Sequence, residues 1–530
     1  MTSQTTVADA TPDLGPRKGL RGHPWLTLFS VAIGVMMVTL DGTIVAIANP
    51  AIQKDLGASL ADVQWITNSY LLALAVALIT AGKLGDRFGH RLTFLIGTTG
   101  FAVASGAIAL SDSVSLVVAF RVVQGLCGAL LMPAALGLLR AAFPPAKLNM
   151  AIGIWGMVIG ASTAAGPILG GVLVEHVNWQ SVFYVNVPVG VLALVVGVLI
   201  LKDHRPEQTS SSFDVLGIVL LSAAMFCLVW ALIKAPAWGW GDTRTLLYLA
   251  GAIVAFVLFT VWQAKVREPL LPLSLFRSLP LTAGTILMVL MAFAFIGGLF
   301  FVTFYLQNVH GMTPVNAGLH MLPLTGMMIV GSPTAGAVIT KIGPRIPMVA
   351  GMLFAAAACF GMATLEPDSG SLAMSVWFGL FGLGLAPVVV GATEVIVGNA
   401  PMEHAGLAGG LQQAAMQVGG SLGTAALGAV MAARVDNLLP DRWAEAGLPK
   451  GTPEQMDQAS DAVAVGMAPV PPKAPPELAQ RITDVAHDTF VSGMGLAFTV
   501  GGCVGLLAAV CALFTKRGDN AEAGAGAAHV

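Results

Sequence analysis

The sequence predicts an all-α membrane protein of fourteen transmembrane helices. Three observations carry this reading: a composition that no soluble fold of this size accommodates, fourteen long apolar runs, and a short motif that recurs eight runs later. The chain has 530 residues, 56% of them hydrophobic and 10% charged. A soluble domain carries about 25% charged residues, and its exterior must be solvated whatever its length. Lipid is therefore the solvent for most of this chain. The 62 glycines fit, because small residues let membrane helices approach where no hydrophobic force drives them together. A net charge of −2 gives no general attraction for nucleic acid. The cysteines (Cys127, Cys227, Cys359, Cys503, Cys511) lie in apolar stretches without metal-type spacing and read as packing residues.

A bilayer core takes about 20 apolar residues in a helix. The runs place spans at 25–48, 63–82, 92–110, 114–139, 150–174, 181–201 and 213–233, then at 244–262, 280–306, 317–340, 346–364, 371–397, 408–432 and 490–514. The polar N-terminus through His23 lacks the short apolar segment and small-residue cleavage site of a signal peptide. Basic residues set the orientation. With the N-terminus inside, seventeen fall on the cytoplasmic side, Arg17, Arg87, Arg91, Arg140 and Arg345 among them, against eight outside. Both termini are expected in the cytoplasm. The segment 433–489 is the one sizeable soluble loop. Its prolines, Pro469 to Pro476, suggest short amphipathic helix at most, with flexible stretches.

The turn after the second span reads G-K-L-G-D-R-F-G-H-R, Gly82 to Arg91. The turn after the tenth reads G-A-V-I-T-K-I-G-P-R, Gly336 to Arg345. Such self-similarity indicates a duplicated unit, and an even offset gives both copies the same orientation. An offset of eight in place of six leaves room for two helices inserted between six-helix halves. The divisions are then a tail at 1–24, a first half at 25–201, an insert at 202–270, a second half at 271–515 and a tail at 516–530.

Few residues can carry chemistry. Asp41 lies inside the first span, where a carboxylate is costly and therefore a functional candidate. Arg121 lies inside the fourth span and stays charged when buried, so it can tune a neighbouring acid. Asp41 is its obvious partner, with Gln124 one turn away. The competing reading of Arg121 is a side chain that snorkels to the headgroups. In Gly82–Arg91, Gly82, Gly85 and Gly89 permit a tight turn and close approach, while Asp86, Arg87 and Arg91 can grip helix ends or opposite charges. The fifth span carries Gly166, Pro167, Gly170 and Gly171, a sliding surface with a kink. Glu394 near the end of the twelfth span is a candidate substrate or second proton site, and otherwise an interfacial carboxylate in contact with water. Met288, Phe293, Phe295, Met327 and Met328 are among the Met and Phe residues of the later spans that can line a cavity, with lipid contact or core packing as the competing reading. No phosphate-binding G-x-x-x-x-G-K-[ST] loop is present, so energy is expected from an ion gradient. No metal or cofactor is called for.

These segments resemble the major facilitator superfamily, specifically its fourteen-helix drug:proton antiporter branch, over nearly the whole chain. L-D-G-T-I-V-A-I-A-N-P from Leu40, R-V-V-Q-G from Arg121, the Gly82–Arg91 turn, G-P-I-L-G-G from Gly166 and N-W-Q-S-V-F-Y-V-N-V-P from Asn178 carry the resemblance. It implies a major-facilitator-type fold of two parallel-repeat halves with two inserted central helices. It also implies proton coupling at Asp41 with Arg121 and Gln124, a gating latch at Gly82–Arg91, and an antiporter signature on the fifth helix. Gln180 and Met416 stand where the branch often has arginine, and Thr340 stands where the first latch has Asp86. The implied activity is proton-driven export of amphipathic, often cationic, drugs, dyes or antibiotics from a bacterium. The protein would work as a monomer in the cytoplasmic membrane, without nucleic acid. A proton-coupled uptake symporter or a narrow-substrate metabolite exporter of the same fold is the alternative. A polytopic membrane enzyme is a remote one, since the nine histidines are scattered.

Overall fold

The computed structural model describes residues 20–202, 214–449, 451–472 and 474–516. The expected tails at 1–19 and 517–530 lie outside the described residues. Every regular element described is helical. The first part of the chain forms α1 (Pro24–Leu56), α2 (Leu60–Phe88), α3 (His90–Ala109), α4 (Val114–Ala142), α5 (Pro145–His176), α6 (Ser181–Tyr184) and α7 (Asn186–Ile200). Then follow α8 (Val215–Trp238) and α9 (Thr243–Gln263). The rest forms α10 (Leu279–Phe304), α11 (Pro314–His320), α12 (Leu322–Ile342), α13 (Arg345–Met362), α14 (Ser371–Asn399), α15 (Ala405–Glu445), α16 (Pro453–Ala464) and α17 (Pro476–Ala512). Among the described residues there are 14 stretches long and apolar enough to cross a bilayer, with α6 and α7 sharing the sixth. The number is the one expected. An even number of crossings puts Pro24 and Ala512 on one side, called here the terminal face, and the opposite side the far face.

Two segments differ from expectation. The supposed flexible loop 433–489 is largely helical, because α15 runs on to Glu445, α16 follows, and α17 starts at Pro476. Local code explains this. Thr452 and Gln455 form a capping box with Pro453 at the first position of α16, and Pro476 stands at the first position of α17. Val463, Ile482 and Ala486 then bury an apolar face. The Asn308 side chain donates to the Val465 carbonyl at 2.6 Å and ties this hairpin to the end of α10. The second difference is the Gly82–Arg91 segment. Gly82 to Phe88 complete the last turns of α2, and only Gly89, at φ 94°, breaks the helix. Glycine is a poor helix former. Here tertiary packing overrides that, because the Gly82 backbone lies against that of Gly406 where a methyl group has no room.

The duplicated motif does the same structural work twice. Gly343 ends α12 at φ 80°, as Gly89 ends α2. Gly336 lies against the Asn149 carbonyl of α5, as Gly82 lies against Gly406 of α15. Arg91 donates to the Val198 carbonyl at 3.2 Å, near the end of the last helix of the first half. Arg345 donates to the Thr515 carbonyl at 3.1 Å, just beyond the last helix of the second. The halves meet along two seams, α2 with α15 and α5 with α12.

The inserted pair α8–α9 packs on α2 and α15 and so covers the first seam. The Trp230 ring of α8 lies 4.9 Å from that of Trp65 of α2, tilted by 33°. One carboxylate organises the pair. Asp214 caps α8 through the Gly217 amide and accepts from Trp262 (2.7 Å), Gln263 (2.7 Å) and the Leu270 amide (3.2 Å). Burial pushes this carboxyl up, but the four donors outweigh it and hold it below the ordinary aspartate range. A depressed carboxyl contributes stability above its unfolded pKa, about 3.9, and loses it only as pH falls through the lower folded value. Asp214→Ala is therefore expected to cost about 1–3 kcal/mol at neutral pH, read as a lower Tm of the detergent-solubilised protein. That difference from the parent should shrink only below about pH 4.

Candidate functional site, a sealed charge network beside an apolar cavity

The first half is built around a buried ion pair. Arg121 of α4 donates from Nη1 to Asp41 Oδ2 of α1 at 2.6 Å and to Gln124 Oε1 at 2.7 Å. Its Nε donates to the Ile66 carbonyl of α2 at 3.1 Å, and its guanidinium lies 4.1 Å from the Tyr70 ring centroid. Gln124 Nε2 donates to Asp41 Oδ1 at 3.0 Å and to Ser105 Oγ of α3 at 2.7 Å. Asn186, the first residue of α7, donates to the same Asp41 oxygen at 2.9 Å. Five helices thus contribute to one polar node, and Asp41 is 0% and Arg121 1% exposed. The arginine does not snorkel. A buried pair survives only when its remaining polar atoms are satisfied, and here each carboxylate oxygen has a donor. The structure brings Asp41, Arg121 and Gln124 together. Ser105, Asn186 and Tyr70 were missed. Asn186 lay within a quoted motif, and its position at the break between α6 and α7 was the signal available.

The neighbouring face of α1 meets α5. Gly166 packs on Thr43 and Gly170 on Ile44, both so closely that a β-carbon would collide. Gly171 looks instead toward Val315 of α11, and Pro167 lies in α5 between these contacts. Next to this contact is a cavity of about 460 Å³ between the halves, lined by the far-face parts of α1, α5, α10 and α12 together with α11. Phe295, Phe300, Met321 and Met328 form much of its wall. Of the cavity candidates in the sequence, Phe295 and Met328 line it, whereas Met288 and Phe293 are packed in the core.

On the terminal face the halves are shut. Asp86 accepts from the Gly406 and Leu407 amides at 2.7 and 2.8 Å, at the exposed donors of the α15 N-terminus. Arg140 of α4 donates to the Val397 and Ala400 carbonyls at the end of α14. A carboxylate and a guanidinium from the first half therefore hold both sides of the α14–α15 turn. Arg140 was read only as a topological charge, because nothing in the sequence shows that α14 ends beside it. Gly85 gives room for His90, whose ring lies 3.5 Å from Asp86. Arg87 lies over the Phe88 ring. Glu394 is buried inside α14, 4% exposed, and does not line the cavity. It sits more than a turn before Asn399, where neighbouring helices still cover it.

A family model described as Major Facilitator Superfamily matches residues 31–424. The chain belongs to the Major Facilitator Superfamily. It is thus a multi-pass membrane transporter and not an enzyme. It is 66% identical to a tetracenomycin C resistance and export protein of Streptomyces glaucescens, over 96% of this chain and 94% of that one. It is 32% identical to the multidrug efflux pump LfrA of Mycolicibacterium smegmatis, over 92% and 95%. Among solved structures, the human organic anion transporter MFSD10 superposes with a TM-score of 0.62 at 12% identity, over 94% of this chain and all of that one. At that identity the likeness concerns the fold alone.

The closed terminal face is open to test by labelling. In a chain with its native cysteines replaced, Gln413→Cys, at a site 5% exposed, should resist a membrane-impermeant maleimide. Adding Asp86→Ala removes both bonds to α15 and should raise the labelling rate about tenfold or more. An unchanged rate would mean that Asp86 does not hold this face shut.

Proposed function

We propose that the chain is a proton-driven exporter of small amphipathic drug or antibiotic molecules, working by alternating access in a bacterial cytoplasmic membrane with both termini inside. The printed activities of the tetracenomycin C export protein and of the multidrug efflux pump support this reading. So does the excess of basic residues assigned to the terminal face. With that orientation the cavity lies in the outer half of the membrane and the Asp86 and Arg140 contacts close the cytoplasmic side.

The observation that carries the mechanism is the placement of Asp41 and Thr43 on one helix. Asp41 faces Arg121, Gln124 and Asn186, whereas Thr43 lines the cavity and touches Gly166. A proton arriving from outside neutralises Asp41 and weakens its hold on Arg121, Gln124 and Asn186. The α1 helix is then free to shift along the glycines of α5, which reshapes the cavity wall. Proton and substrate act on the same helix without sharing an atom, so coupling runs through the position of α1. When the cavity closes outward and the Asp86 and Arg140 contacts part, Asp41 faces the more alkaline interior and releases its proton. Glu394 is kept as a second proton-site candidate, reached from that side.

Inside-out vesicles with a respiratory proton gradient test this reading. The parent should accumulate substrate and lose it on addition of an uncoupler. Asp41→Asn should reduce gradient-driven accumulation at least tenfold while leaving substrate binding in detergent within about twofold, because the carboxylate does not line the cavity. Undiminished gradient-driven accumulation in Asp41→Asn would move the coupling elsewhere. Arg121→Lys should be impaired as well, since an ammonium cannot serve Asp41, Gln124 and the Ile66 carbonyl with one planar fork.

A further inference from the structure

The cavity wall has two properties that the proposed export activity does not require. First, none of the residues lining it carries a charge. The nearest carboxylate along the chain, Asp41, is turned away and matched by Arg121, and Glu394 is not part of the wall. Second, its polar groups are mostly threonine hydroxyls: Thr43, Thr163, Thr303, Thr325 and Thr424, joined by the amide of Gln307.

Each threonine hydroxyl already donates to its own helix. Thr43 donates to the Leu40 carbonyl (3.1 Å), Thr163 to Ile159 (2.9 Å), Thr303 to Leu299 (3.0 Å), Thr325 to Met321 (3.3 Å) and Thr424 to Gly420 (2.7 Å). A hydroxyl has one proton and two lone pairs. With the proton committed to the backbone, what each threonine offers the cavity is an acceptor. Apart from the Gln307 amide, which can donate as well as accept, the wall is thus apolar and aromatic, studded with hydrogen-bond acceptors and empty of counter-charge. A cation placed there loses its hydration without gaining an opposite charge, which is strongly unfavourable. A neutral ring system satisfies the Phe and Met surfaces, and its hydroxyl groups supply the donors the threonines lack.

We infer that the cavity takes an uncharged, ring-containing molecule bearing several hydroxyl donors. This narrows the sequence expectation of amphipathic, often cationic, substrates. It rests on the reading of the cavity as the substrate site, and it is independent of what drives transport.

The test uses the full-length protein in detergent and measures equilibrium binding of three probes. They are 2,6-dihydroxyanthraquinone, whose hydroxyls have no internal acceptor, its dimethyl ether, and ethidium as a permanent cation, all in mildly acidic buffer that keeps the hydroxyls un-ionised. The dihydroxy compound should bind at least tenfold more tightly than ethidium. Thr163→Val and Thr325→Val should each weaken it about fivefold, the worth of one net hydrogen bond. Binding of the dimethyl ether should stay within about twofold, and that also shows that the variants are folded. Thr163→Asp should raise ethidium affinity by supplying the missing charge. Ethidium binding as tight as the dihydroxy probe in the parent would overturn the inference. So would threonine variants that affect both anthraquinones equally. Export is read separately in inside-out vesicles. Threonine-dependent binding without gradient-driven accumulation would sink the proton-driven export reading and leave the ligand class standing.

Discussion

The ion pair between Asp41 and Arg121 is the constraint on which the first half of the molecule depends. In lipid neither charge can be left alone, and each therefore dictates what its neighbours must supply. Arg121 needs an acceptor from α2, found at the Ile66 carbonyl, and a second side chain from its own helix, found at Gln124. Asp41 needs donors beyond the guanidinium, found at Gln124 and Asn186. The register of α1 against α3, α4 and α7 follows from meeting these demands together. Apolar packing in a membrane is adaptable, because lipid competes with it on equal terms. A satisfied polar node is not, since a small displacement leaves a buried atom without a partner.

Much of this was legible in the chain itself. Long apolar runs gave the number of spans, since nothing but a bilayer helix fits them. Asp41 and Arg121 stood out because charge inside such runs is rare, and the paired turns at Gly82 and Gly336 revealed the duplication. What stayed hidden was where chains far apart in sequence meet. Asn186 and Ser105 look like ordinary polar residues in apolar stretches until Asp41 is placed between them. Arg140 looks like one more topological charge until the end of α14 arrives beside it. The segment 433–489 misled for a different reason. Its prolines open helices or turn between them, and proline as an initiator is indistinguishable by count from proline as a breaker.

The two copies of the turn motif show how duplication and specialisation coexist. Both keep the glycine that ends the helix, the arginine that reaches the last helix of its own half, and the glycine that lets backbones touch across a seam. Those features serve packing, which both halves need. The carboxylate is kept in one copy only. Asp86 reaches across to the α15 N-terminus, while Thr340 donates to the Gly336 carbonyl of its own helix. At the first seam a carboxylate thus meets a helix N-terminus, and at the second Gly336 packs against the Asn149 carbonyl.

The placement of α8 and α9 has a mechanical consequence. α8 lies against α2 and α15 with α9 packed on it, and it sets tryptophan against tryptophan, whereas the cavity wall is drawn from α1, α5 and the helices of the second half that face them. A body clasped along one margin and hollow near another does not part evenly. It behaves like a bound volume, with α2, α8 and α15 as the spine and α5 and α12 as the fore-edge, where the leaves have the greater travel.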